Sequence, residues 1–223
     1  MNKITIFGFP RSGTKLLADV YKQQGYHNFG EFFNCATTDI VNDTVPYAVR
    51  SLSVNDISTL LVEERIELFN TYKDVTPSIV TLMPKPILYK PFILNSLGNR
   101  YYLCTQRKNK FEQLISYIIS SYNFNYDGLK ISKAVKILPG MVERGFKELI
   151  TTYRIQQHLI STGQGRYIDF DQLIAGKEDL GFEYKVTSKD EHTNLYGLVE
   201  NLDEVKLQIK EIEKFSKEFA SFV

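Results

Sequence analysis

The chain has only two cysteines in 223 residues, Cys35 and Cys104, and that scarcity excludes a disulfide framework. Their spacing fits no metal motif, so both read as reduced, structural thiols. An excess of charge of either sign is missing too. Lys and Arg number 27 against 26 Asp and Glu, a formal charge of +1, so no global field draws the protein to nucleic acid or to an anionic membrane, and any basic site must be local. Long apolar runs are also lacking: the run in the opening MNKITIFGFP is too short for a signal-peptide core and far too short for a membrane span. The location these absences imply is the cytosol. Internal repeats, low-complexity tracts and composition shifts that would mark a linker are absent as well. A content of 43% hydrophobic and 13% aromatic residues is ample for a core, so residues 1–223 are expected to form a single domain.

What is present is an alternation of strand and helix patterns. KITIF alternates β-branched and aromatic residues and stops at Gly8, which predicts a buried first strand. GTKLLADVYKQQG follows with apolar positions Leu16, Leu17, Val20 and Tyr21 and a closing Gly25, a helix with its stop signal. NDISTLLVEERIELFNTYKD predicts a helix capped by Asn55 or Asp56, with a stripe through Ile57, Leu60, Leu61, Ile66 and Leu68. PILYKPF and RYYLCTQR read as short strands separated by a turn. Helices are expected from about Lys110 to Tyr122, over MVERGFKELITTYRIQQHLI and over LDEVKLQIKEIEKFSKEF, with RYIDF as a further strand. This order predicts a three-layer α/β/α fold around a mostly parallel, doubly wound sheet.

The loop after the first strand, GFPRSGTK, spaces Gly8 and Gly13 as a phosphate-binding P-loop does. A nucleoside triphosphatase would place its lysine directly after the second glycine, where it reaches the β- and γ-phosphates. Here Thr14 stands there and Lys15 follows. The loop therefore suits a phosphate but departs from the Mg-nucleoside triphosphate pattern.

Four stretches fall at predicted strand ends, where open α/β sheets bind ligands: GFPRSGT, LYKPF, TQRKNKFEQLISY and RYIDFDQLI. Together they resemble the sulfotransferases that use 3′-phosphoadenosine 5′-phosphosulfate, and most of all the carbohydrate or trehalose-type branch. The resemblance runs from residue 4 to about 122 and again near 166 to 174. It implies that Arg11, Ser12, Gly13, Thr14 and Lys15 hold the 5′-phosphosulfate, with Arg11 beside the transferring group. Lys15 departs from the family's usual second hydroxyl residue. The resemblance also implies that Arg107 and Ser116 hold the 3′-phosphate, and that Lys90 faces the sulfuryl group or the acceptor. The product would be adenosine 3′,5′-bisphosphate and the partner a hydroxyl-bearing acceptor. The residues carry the same logic unaided, since a nucleotide phosphorylated at both ends needs two separated anion sites. Arg107 offers a planar fork, and Ser116 a hydroxyl near a helix start.

FGEFFN follows the first helix, and Glu31 matches the glutamate that takes the acceptor proton in the trehalose-type branch. Flanked by Phe29, Phe32 and Phe33, a carboxylate there would be pushed toward the range useful for a general base. His27 competes for that role, whereas His158 and His192 read as structural. No histidine and cysteine cluster suggests a metal. Two other functions fit the same elements. One is a P-loop small-molecule kinase with Asp169 or Asp171 on the magnesium side; the other is a catalytically silent nucleotide-binding module.

Overall fold

The computed structural model describes residues 3–33, 62–72, 74–84, 87, 91–122, 134–186 and 195–214. The chain forms two compact units, one of residues 1–106 and 152–186, the other of residues 107–151 and 187–223.

The first unit is built on five parallel strands: β1 (Lys3–Gly8), β2 (His27–Asn28), β3 (Ser78–Leu82), β4 (Tyr101–Gln106) and β5 (Gly165–Asp169), in the order β2-β3-β1-β4-β5. Period-2 alternation sorts their side chains onto two faces. Ile4, Ile6, Ile79, Leu103 and Ile168 pack with Leu17, Ala18, Val20 and Tyr21 of helix α1 (Thr14–Gln23). Phe7, Val80, Leu82, Tyr102 and Cys104 pack on the other face with Phe69 of α2 (Val62–Tyr72), Ile93 of α3 (Ile93–Ser96) and Leu159. Helices on both faces of a parallel sheet give the doubly wound, three-layer α/β/α arrangement that the sequence predicts.

Helix α1 ends as expected. Gly25 is left-handed at φ 81°, Tyr26 N–H donates to Tyr21 O at 3.2 Å and Gly25 N–H to Lys22 O at 3.0 Å, a Schellman closure. At the amino edge of the sheet, buried Arg100 donates to Ile4 O, Thr5 Oγ1, Ser78 O and Ser78 Oγ. It thereby ties the starts of β1 and β3 together.

One predicted strand is replaced by another. In PILYKPF, Ile87 has helical backbone and Pro91 and Phe92 lie in a turn; the strand beside β1 is instead SIVTL, Ser78–Leu82, with all five residues buried. Prolines at 84, 86 and 91 deny the later segment the N–H donors a ladder needs. The helix expected to start at Asn55 or Asp56 is described from Val62, and its caps lie outside the described residues.

The second unit contains α4 (Lys110–Tyr122), the amino-terminal part of α5 (Pro139–Ser161), a 3₁₀ turn (Leu195–Leu198) and α7 (Leu202–Lys214). The short helix α6 (Phe170–Ile174) precedes these last two and belongs to the first unit. Asn109 Oδ1 accepts from Glu112 N–H at 2.9 Å, a side-chain cap at the start of α4. Gly145 lets α5 approach α4 closely, since a Cβ there would stand 2.8 Å from Leu114 Cδ1. Asn201 clamps Ile137 by both its N–H and its carbonyl, each at 2.9 Å. Among the described residues, no helix is long and apolar enough to cross a membrane.

Candidate functional site

The chain leaves β1 toward β2 and β3, and leaves β4 toward β5, so the connections diverge between β1 and β4 at their carboxyl ends. Open α/β sheets bind ligands at such a switch point. The Gly8–Gly13 loop sits there. Its backbone departs from ordinary geometry twice: Arg11 is the one described non-glycine residue with positive φ, 67°, and Gly13 is left-handed at φ 84°. A non-glycine residue in that region costs about 1–2 kcal/mol and is held by its surroundings. Gly13 occupies the N-cap of α1 and has no side chain with which to cap the helix. The amide groups of the helix's first turn face the loop, an arrangement suited to an anion.

The surroundings that hold the loop come from distant sequence. Ser12 and Thr105 are both buried and their hydroxyls hydrogen-bond at 2.6 Å. Thr105 is the register partner of Gly8, so this bond spans the switch point. A Cβ on Gly8 would collide with both hydroxyls, and a Cβ on Gly13 would enter the ring of Phe170. Glycine is required at the two positions that a phosphate loop also needs bare. Thr14 is buried at the first position of α1, while Lys15 is exposed beside it.

Glu31 lies at the same edge of the sheet. Beyond β2 the chain keeps the ladder with β3: Phe29 N–H donates to Ile79 O at 2.9 Å and Thr81 N–H to Gly30 O at 2.8 Å. Glu31 is therefore at the carboxyl end, two strand spacings or about 10 Å from β1. Phe29, Phe32 and Phe33 are buried against Phe69 in a set of edge-to-face pairs. Fully buried Arg65 of α2 donates to Phe32 O at 3.1 Å. Glu31 itself is half-buried on this anchored loop. No protein-family model matches the chain, and no curated protein matches its sequence.

The remaining candidates are dispersed. His27 belongs to β2, its ring edge-to-face with Phe29 at 4.8 Å. His158 is exposed near the end of α5, and His192 lies outside the described residues, as do Lys90 and Cys35. Arg107 follows β4 directly and Ser116 is buried on α4, both in the second unit. Asp169 ends β5 opposite Gln106. Its Oδ1 accepts from Asp171 N–H at 2.8 Å and Gln172 N–H at 3.2 Å, so this carboxylate caps α6. Asp171 is exposed in the first turn of that helix.

Three residues that shape the site escaped the sequence reading, Thr105, Arg65 and Gln156, and Phe170 was read there as a strand end, not as the ring against Gly13. Two left a trace. Arg65 and Gln156 interrupt apolar helical stripes, Arg65 four residues before Phe69 and Gln156 three before Leu159, and a polar residue on a core-facing stripe marks a buried hydrogen-bonding role.

Proposed function

We propose that this chain is a sulfotransferase that moves a sulfuryl group from 3′-phosphoadenosine 5′-phosphosulfate to a hydroxyl of a small-molecule or carbohydrate acceptor. The observation that carries this reading is the Gly8–Thr14 loop at the switch point, with bare glycines at 8 and 13 and a helix start without a side-chain cap. The two glycines are held bare by packing, Gly8 against the Thr105 and Ser12 hydroxyls and Gly13 against the Phe170 ring, which keeps the loop backbone in the form that an anion site needs.

In this reading Ser12, Gly13 and Thr14 hold the 5′ anion with backbone N–H groups, and Lys15 adds charge at the helix start. Arg107 and Ser116 hold the 3′-phosphate, and Lys90 faces the sulfuryl group or the acceptor. The bound donor supplies a sulfuryl group on a phosphate leaving group. Arg11, on its left-handed backbone, offers a fixed positive charge where that leaving group gathers negative charge. Glu31 takes the proton from the acceptor hydroxyl, and its anchoring through Gly30 and Phe32 keeps the carboxylate from wandering. A kinase would need a carboxylate after β5 on the magnesium side; Asp169 is committed to its cap, which leaves the exposed Asp171 as the candidate of that second reading.

Calorimetry tests the reading. Adenosine 3′,5′-bisphosphate is expected to bind without divalent metal, and Arg107→Ala to weaken it by about 1.5–3 kcal/mol, the worth of a charge-assisted contact. Tighter binding of Mg-ATP than of the bisphosphate would turn the assignment to a kinase. A screen with labelled donor against sugars, lipids, phenols and small alcohols then identifies the acceptor.

A further inference from the structure

The β1–β4 ladder ends at Gly8 and Thr105, and carbonyls beside that end, one residue before the last of each strand, need partners where the strands part. One side chain supplies both. Gln156 Nε2 donates to Phe7 O at 3.0 Å and to Thr105 O at 3.2 Å. Gln156 is fully buried on the carboxyl-terminal part of α5, flanked by Ile155 and Leu159, which pack on the face of the sheet opposite α1. Its Oε1 accepts from Gln106 Nε2 at 2.9 Å, and the Gln106 side chain adjoins the Tyr167 hydroxyl. Tyr167 is exposed, so the chain of contacts runs from solvent to the root of the loop.

A carboxamide buried in an apolar layer is costly unless every polar atom is paired. An apolar side chain would pack there as well; what the carboxamide adds is a fixed distance between two strand ends. Those ends carry the loop: Phe7 precedes Gly8, and the Thr105 hydroxyl holds Ser12. We infer that Gln156 is a positioning residue for the phosphate loop, with Gln106 fixing its amide, so that the shape of the anion site is set from the far face of the sheet. The inference rests on the reading that the loop binds a phosphate group.

The test uses the full chain carrying Gln156→Met, which keeps length and volume and removes the donor, and Gln106→Leu, which removes only the residue that orients it. Two readouts are taken well below the unfolding transition. In hydrogen exchange without ligand, peptides covering Phe7–Thr14 and Cys104–Gln106 are expected to exchange at least several-fold faster in Gln156→Met, while peptides inside α1 keep their rates. In calorimetry with adenosine 3′,5′-bisphosphate, affinity is expected to fall about tenfold to a hundredfold in Gln156→Met and less in Gln106→Leu. Unchanged exchange in the loop peptides overturns the brace, whatever the affinities. A faster-exchanging loop in a chain whose wild type binds no bisphosphate keeps the brace and overturns the sulfotransferase reading. Should Gln156→Met not fold, Gln106→Leu decides alone: wild-type exchange and wild-type affinity in that variant overturn the brace.

Discussion

Replacing Thr105 by valine probes the contact that closes the switch point. The Ser12 and Thr105 hydroxyls meet at 2.6 Å, at the short end for O–H···O bonds, and both residues are essentially excluded from solvent. Valine keeps the branched shape of threonine but puts a methyl carbon where an oxygen stood, closer to Ser12 Oγ than the roughly 3.3 Å of a carbon–oxygen contact. Ser12 loses this partner and remains buried, a loss of about 1–3 kcal/mol. For a chain of this size each kcal/mol is worth about 2–4 °C in Tm, and the urea midpoint should fall in proportion. Because the loss comes from stranding one hydroxyl, Ser12→Ala with Thr105→Val should recover part of it. A coupling of about 1 kcal/mol is expected in the double-mutant cycle, and Thr105→Ser, which keeps the oxygen, should fall less. Additivity within about 0.5 kcal/mol would refute the reasoning, since independent sites behave that way.

Three further outcomes follow from the same geometry. Gly13→Ala should cost about 1–2 kcal/mol for the left-handed backbone alone, and more for the collision with Phe170; in urea titrations, wild-type stability would contradict it. Glu31→Gln should lower kcat by about 10² to 10⁴ while affinity for adenosine 3′,5′-bisphosphate stays near wild type. Full activity would return Glu31 to a packing role and make His27 the next residue to change. At high pH, burial pushes the Cys104 thiol from 9.0 to about 12 and Tyr21 and Tyr102 from 10.0 to about 12. The folded state holds these protons more tightly than the unfolded chain, so their stabilisation is complete below about pH 9 and is lost as the pH climbs to 12. Urea midpoints across that window should decline, and Cys104→Val should remove the part of the decline that begins first; a flat profile would contradict the burial of these groups.

Local pattern was enough for the β1, loop and α1 segment, because each of its signals is contained within a few residues: β-branched alternation, a glycine, a helical stripe and the Gly25 stop. It failed where pairing decides. SIVTL is a five-residue run between prolines, overshadowed in the sequence by the aromatic PILYKPF, whose β propensity is real but whose two prolines cannot donate to a ladder. Two-residue β2 is below any periodicity threshold. Phe170 was expected as the last residue of a strand and instead opens α6, because Asp169 turns its carboxylate to cap the helix. The same limit applies to the site. The loop and Glu31 stand out by motif, whereas Thr105 and Gln156 act on it from 93 and 149 residues away along the chain, and no window on the sequence contains both ends of such a bond.

Among the five described strands β1 is the earliest in the sequence, yet it lies in the middle of the sheet, with β3 on one side and β4 on the other. During synthesis β1 and its loop emerge with neither neighbour yet made, and the chain must hold an apolar strand in reserve until residues 78–106 arrive. Ser12 waits for Thr105, and the root of the loop waits further for Gln156. Closing such distant pairs is slow relative to helix formation, so α1 can wind long before its amino end has anything to face. The Gly8–Gly13 loop is thus among the last features of the first unit to take its final shape although it is made before every residue that braces it.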